Sequence, residues 1–204
     1  MQVLVFDRME QCTEAEVQAM LPLVSEQRRE QALRYKHTFG QFCCLKSWLM
    51  LSAIIGEGLP VSAYGNWEYN EHGKPFFPYN LSPVTHQPCY FSISHCKHAI
   101  AVAVDTQPVG VDVESIRHAD QDLIIRVMRT REQQDIAEAA DPDRAFTRLW
   151  TEKEAVVKWR GTGIESFEQL QYLLLPAFDR DINMPGIIQT YEKENYIYSI
   201  AYGK

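Results

Sequence analysis

Between Val109 and Glu114 the chain reads VGVDVE. Side chains alternate between the two faces of a strand, so Gly110, Asp112 and Glu114 share one face and the valines the other. Two carboxylates at i and i+2 repel each other and call for a positive group. Magnesium suits such an edge, because it takes hard oxygen ligands and typically combines one or two carboxylates with phosphate oxygens. A solvated polar face on an edge strand accounts for the same pattern without an ion.

A third carboxylate lies further on, in FTRLWTEKEAVVKWRGTGI, from Phe146 to Ile164. Trp150, Glu154 and Lys158 recur at i, i+4 and i+8, near one face of a helix, with Lys153 beside that face. Taken alone, this is also a surface helix braced by a Glu154–Lys158 pair worth a few tenths of a kcal/mol. Residues 25–36, SEQRREQALRYK, hold four basic and two acidic side chains, a local positive patch on an acidic chain.

Taken together, the two acidic stretches resemble the signature of the phosphopantetheinyl transferases, which pairs a GxDxE strand with a WxxKEAxxK helix some forty residues later. The strand here is Gly110-Val111-Asp112-Val113-Glu114, and the helix runs Trp150-Thr151-Glu152-Lys153-Glu154-Ala155-Val156-Val157-Lys158. Two weaker elements precede them in the same order. Gly73-Lys74-Pro75-Phe76 is similar to the family's GKPxF stretch. Phe91-Ser92-Ile93-Ser94-His95-Cys96 is similar to FxxSHS, with cysteine in place of the last serine. The resemblance runs from the Arg28 region to Ile164.

The resemblance implies transfer of the 4'-phosphopantetheine arm of coenzyme A to a serine of an apo acyl or peptidyl carrier protein. Adenosine 3',5'-bisphosphate would leave. It implies that Asp112, Glu114 and Glu154 hold magnesium, or manganese in its place, against the pyrophosphate; pyrophosphate cannot approach three carboxylates without a cation between them. Lys153 and Lys158 would serve the pyrophosphate, and Lys74 a phosphate or the adenine edge. Ser94 would belong to the coenzyme A site, and His95 would meet the ribose phosphate. Arg28 matches a basic position over that phosphate. The next such position is Gln31, which leaves Arg34 or Lys36 to compensate. Glu154 or Glu132 would accept the proton of the carrier serine. Glu132 is equally a helix-start glutamate favoured by the macrodipole. The segment 115–131, with Arg117, Arg126, Arg129 and Arg131, is the expected landing place for the carrier. A non-catalytic module binding coenzyme A or a carrier is the alternative; retention of the three acids and Lys158 speaks against it. Another magnesium-dependent phosphotransfer enzyme is less favoured, because no Gly-rich loop ends in Lys-Ser/Thr.

The elements that must position these groups follow from local signals. A strand is expected at Val3 to Phe6. Thr13 with Glu16 reads as a capping box, Pro22 as a stop and Ser25 as a second cap. An amphipathic helix runs from about Phe39 to Ile55 and stops near Gly56. Asn66 to Phe77 reads as a hairpin around His72-Gly73, and Cys89–Ser94 and His98–Asp105 as two strands. After the acidic strand come helices at Leu123–Val127 and Thr130–Ala140, the latter with Gln133 completing a capping box. Asp141-Pro142 opens a long helix to Arg160, which Gly161 and Gly163 end. Strands are expected near Leu170–Leu175, Ile187–Glu192 and Tyr196–Tyr202. Helices followed by strands occur twice. The fold class is α+β: two similar lobes, 1–105 and 106–204, packed as a pseudo-dimer with the active site in the cleft between them.

At 204 residues, 46% hydrophobic and 23% charged, the chain can bury about 70% of its unfolded surface without staples. Five cysteines without CxxC spacing read as free thiols in a reducing cytoplasm. His95 and His98 straddle a strand corner and make a poor metal pair. A net charge of -7 disfavours nucleic acid, and Trp48 to Ile55 is shorter than the roughly 18 residues of a membrane span. A monomer in the cytoplasm, without a signal peptide, is the expectation.

Overall fold

The computed structural model describes residues 1–56, 67–80, 82, 85–174 and 186–203. In chain order the elements are β1 (Gln2–Phe6), α1 (Glu14–Met20), α2 (Glu26–Leu33), α3 (Thr38–Ile55), β2 (Glu68–Tyr69), β3 (Pro75–Phe76), β4 (Tyr90–His95), β5 (Ile100–Asp105), β6 (Val109–Ser115), α4 (Gln121–Val127), α5 (Thr130–Ala137), α6 (Pro142–Arg160), α7 (Phe167–Tyr172), β7 (Gly186–Glu192) and β8 (Tyr196–Gly203). The fold is α+β with small antiparallel sheets. Among the described residues there are two three-stranded sheets, ordered β1-β5-β4 and β6-β8-β7, and a two-stranded hairpin, β2-β3.

Alternation in β5 and β6 decides the layering. Ile100 and Val102 of β5 turn to the core that contains Phe42, Leu45, Trp48 and Leu51 of α3. The small residues between them, Ala101 and Ala103, turn the other way and pack with Val109, Val111 and Val113 of β6, where they bring the two sheets together. The opposite face of β6 is left for α6. Each sheet therefore carries one long helix on its outer side. Both strands are buried on both faces, so their period-2 pattern separates two cores rather than core from solvent. α3 has 18 residues and the length and composition of a membrane span, but it is the central helix of the first core.

Local signals set most boundaries. Thr13, Ser25 and Asp141 cap α1, α2 and α6 by accepting the backbone N–H groups of Glu16, Arg28 and Arg144. Gly161 ends α6 in the left-handed region, at φ 73°. Two expectations are corrected. Leu170 to Leu174, expected as a strand, belongs to α7 and the turn after it, because Ser166 caps that helix through the Gln169 N–H at 3.2 Å. The α5 helix begins at Thr130 as expected but ends at Ala137 rather than Ala140, and its cap is Arg129: Glu132, not Gln133, reaches back to the Arg129 N–H at 3.1 Å. Gln133 instead donates to the Met128 carbonyl at 2.7 Å. Asn66 and Leu175, the outer ends of the expected hairpin and strand, lie outside the described residues.

Candidate active site

Gly110 sets the distance between β6 and α6. A Cβ there would stand 2.1 Å from the Ala155 carbonyl oxygen and 2.3 Å from the Trp159 nitrogen. Only a glycine lets the helix backbone lie on the strand. Gly110 to Glu114 spans about 13 Å at the rise of a strand, and Trp159 back to Trp150 about 13.5 Å at 1.5 Å per residue. The two runs match in length and oppose in direction. Lys158 thus faces Asp112, and Trp150 faces Glu114.

Asp112 is buried. Its Oδ1 accepts the Ser94 hydroxyl at 2.8 Å and the Lys158 ammonium at 2.5 Å, and Lys158 also donates to Ser94 Oγ at 2.9 Å. Glu114 Oε1 accepts the Trp150 indole N–H at 3.3 Å. Burial, and then the charge of Asp112, push the Glu114 carboxyl above its usual range. The same two causes raise Glu154 further, to about 7, although Lys158 pulls the other way. The three acids of the two motifs share one electrostatic site, with Lys158 as its cation.

A cleft of about 270 Å³ opens beside them, walled by Glu154, Lys158, Ser92, Ile93 and the turns 72–75 and 161–164. Residues of β4 and of α6 meet at this cleft. Lys74 forms part of the wall, but its Nζ is committed to the carbonyls of Val109 at 3.1 Å and Lys158 at 2.5 Å. Burial and the nearby Lys158 lower its pKa to about 8. His95, at the end of β4, is exposed and meets the Phe39 ring edge-on at 6.0 Å. Loss of solvent around its ring lowers its pKa, and the charge of Lys158 adds to that.

Lys153, Glu132 and Arg28, all expected at the site, do not line the cleft. Lys153 is fully buried and pairs with Glu132 at 2.8 Å while donating to the Leu170 carbonyl at 2.6 Å. One step along α6 turns a side chain by about 100°, and that carries Lys153 to α5 and α7 instead. Glu132 is thereby closed off too, 2% exposed. Arg28 is buried between the rings of Trp48 and Trp67, 4.1 and 4.2 Å from their centroids, a cation–π sandwich. Gln31 donates to the Tyr69 hydroxyl at 2.6 Å, and Arg34 and Lys36 are exposed. Sequence reasoning missed Asn70, whose side chain accepts from the Lys74 N–H at 2.8 Å and donates to the Gly161 carbonyl at 2.7 Å. Its neighbourhood to the Gly73-Lys74-Pro75 turn was the available signal. It also missed Ser92, which accepts the Val111 N–H at 3.0 Å.

Asp112 Oδ2 bears on the question of a metal. It is buried and, among the described residues, has no hydrogen-bond partner. A buried carboxylate oxygen without a donor is costly, and a cation would complete it. With Glu114 and Glu154, the donor set is all carboxylate oxygen, which fits magnesium. No three His, Cys, Asp or Glu side chains among the described residues already converge as a closed ligand set. Lys158 supplies the positive charge at Asp112 in this structure.

Comparison with known proteins gives consistent matches. The family model described as the 4'-phosphopantetheinyl transferase superfamily matches residues 108–197. The chain is 30% identical over 190 residues to "4'-phosphopantetheinyl transferase psf-1" of Bacillus pumilus, covering 86% of this chain and 77% of that protein. It is 29% identical over 149 residues to a Bacillus subtilis "4'-phosphopantetheinyl transferase", covering 71% and 63%. It is 26% identical over 156 residues to "4'-phosphopantetheinyl transferase Sfp" of Bacillus subtilis strain 168, covering 74% and 66%. The match spans just under two thirds of the length of the two Bacillus subtilis proteins.

Proposed function

The chain belongs to the 4'-phosphopantetheinyl transferase superfamily, Sfp-like type, and on that premise we propose that it transfers the 4'-phosphopantetheine arm of coenzyme A to a serine of an apo carrier protein. The observation that supports this reading is the meeting of Asp112, Glu114, Glu154 and Lys158 beside one cleft. In the reaction, the serine oxygen forms a bond to the phosphorus that carries the pantetheine arm. The bond from that phosphorus to the bridging oxygen breaks, and adenosine 3',5'-bisphosphate departs. We assign the serine proton to Glu154, the carboxylate that walls the cleft. Two N–H groups of Lys158 go to Asp112 and Ser94. The third is the group we assign to the phosphate oxygens, where negative charge grows as the leaving group departs.

Asp112, Glu114 and Glu154 would hold magnesium or manganese, which when bound neutralises the pyrophosphate and the leaving phosphate. His95, on the first sheet, would meet the ribose phosphate. The two halves, 1–105 and 106–204, act as lobes flanking the cleft. For the carrier we favour the segment 115–131, where Ile125 is 50% exposed and Phe167 of α7, the helix packed on α4, is 47% exposed. There Arg129 and Arg131 already pair with Glu132 and Asp135, which leaves Arg117 and Arg126 as the basic groups for an acidic partner. We read the protein as a cytoplasmic monomer.

The test is incubation with coenzyme A, magnesium and a panel of apo carriers, followed by intact mass. Addition of the phosphopantetheine mass to at least one carrier, lost on chelation, is expected. Coenzyme A binding without transfer to any carrier would reduce the protein to a binding module.

A further inference from the structure

Ser94, Asp112 and Lys158 form a closed triangle of hydrogen bonds, and its proton inventory is informative. The Ser94 hydroxyl has one proton and gives it to Asp112 Oδ1. Its lone pairs then receive Lys158. Lys158 donates to the same Oδ1. Both donors therefore reach one oxygen of the carboxylate, while the other, Oδ2, is buried with no partner among the described residues.

The last torsion of an aspartate is broad and roughly two-fold, so rotation about it can exchange the two oxygens. A lysine on a four-carbon stem follows such a rotation. A serine on a strand does not. Ser94 is buried, opposite Ala101 in the β4–β5 ladder. Two residues earlier, Ser92 accepts the Val111 N–H from the edge of β6. Ser92 fixes β4 against the β6 backbone, and Ser94 then meets Asp112 at a set height.

We propose that Ser94 is a positioning residue for Asp112: it commits Oδ1 to the protein and leaves Oδ2 as the single oxygen offered to the divalent cation. This rests on the reading of Asp112, Glu114 and Glu154 as cation ligands. It separates the FSISH serines into one that aligns strands and one that orients a ligand.

The test uses Mn2+ alone on the full chain, without coenzyme A, with free Mn2+ followed by electron paramagnetic resonance. Wild type, Ser94→Ala, Ser94→Thr, Ser92→Ala and Asp112→Asn are compared, with thermal unfolding of the same samples. Ser94→Ala should weaken Mn2+ binding about 10- to 100-fold, the usual effect of removing a hydrogen-bond partner of a metal ligand. Ser94→Thr, which keeps the hydroxyl, should recover most of it. Ser92→Ala, which only loosens β4 against β6, should lower Tm and weaken Mn2+ binding less than Ser94→Ala does. Wild-type Mn2+ affinity in Ser94→Ala overturns the proposal. Equal Mn2+ uptake by wild type and Asp112→Asn would instead sink the cation reading, and the positioning role with it.

Discussion

At the scale of single residues, Lys158 shows how a distant partner outcompetes a near one. Spacing along the helix offers it Glu154, one turn away. The structure gives it Asp112, 46 positions earlier, because α6 lies on β6 and brings the ammonium against the buried Oδ1. Lys158→Ala therefore leaves three crowded acids without their cation. It should cost about 2 kcal/mol, a fall of about 4–8 °C in Tm for a chain of this size. Magnesium should raise the Tm of the variant more than that of wild type, since the ion then replaces the missing charge. Single-turnover transfer should fall on the order of a hundredfold or more, because the lysine acts on charge that grows in the transition state. An unchanged Tm, with near-normal transfer, would return Lys158 to the helix surface.

Among elements, α6 serves two masters on two sides. Its Trp150, Glu154 and Lys158 side meets β6, and its Lys153 side meets α5 and α7. Gly110→Ala tests the first contact. The added methyl meets helix backbone, not a side chain that can rotate, so α6 must lift off β6. A loss of about 3 kcal/mol is expected, at the upper end for overpacking, with transfer falling further than stability alone explains. Denaturant titration beside single-turnover assays checks it, and a wild-type midpoint would contradict the close approach. Lys153→Met tests the second contact: it strands the Glu132 charge in the interior and should cost about 3–5 kcal/mol. Lys153→Met with Glu132→Gln should recover much of that. If Glu132 were the base, the double variant would be stable yet inactive; transfer that returns with stability assigns it to structure. Sequence was informative where the signal is local. Thr13, Ser25, Asp141 and Gly161 each satisfy or end a helix with their own atoms. The strand expected at Leu170–Leu175 gives way to the end of α7, because so short an apolar run carries no period of its own and Ser166 caps that helix. The motif acids were legible by type and spacing. The Lys153–Glu132 pairing was not, since it depends on which side of α6 meets α5.

For the whole molecule, apolar packing and the ties of Ser94 to Asp112 and Ser92 to Val111 hold the two sheets together, while Asn70 to Gly161 and Lys74 to Val109 and Lys158 fasten the hairpin turn to α6 and β6. Lys74 gives this junction a pH signature. Its pKa falls from 10.5 to about 8 on folding, so between these values the unfolded chain binds more protons. Stability contributed by this group must then rise with pH across that window. The difference in unfolding free energy between wild type and Lys74→Met should shift toward wild type from about pH 8 to about 10.5. A difference that stays flat from pH 7 to 11 would mean that Lys74 remains charged and hydrated. The matched lengths of β6 and α6 carry a last consequence, for how such chains can lengthen and shorten over time. A residue added in the turn between α5 and α6 only enlarges a connection, at slight entropic cost. A residue added between Ala155 and Lys158 swings the lysine by about 100°, and one added between Gly110 and Asp112 sends the acid to the opposite face. Insertions and deletions are therefore tolerable between the two motifs and ruinous inside them. Distant kin should keep two rigid short spacings joined by one elastic long one.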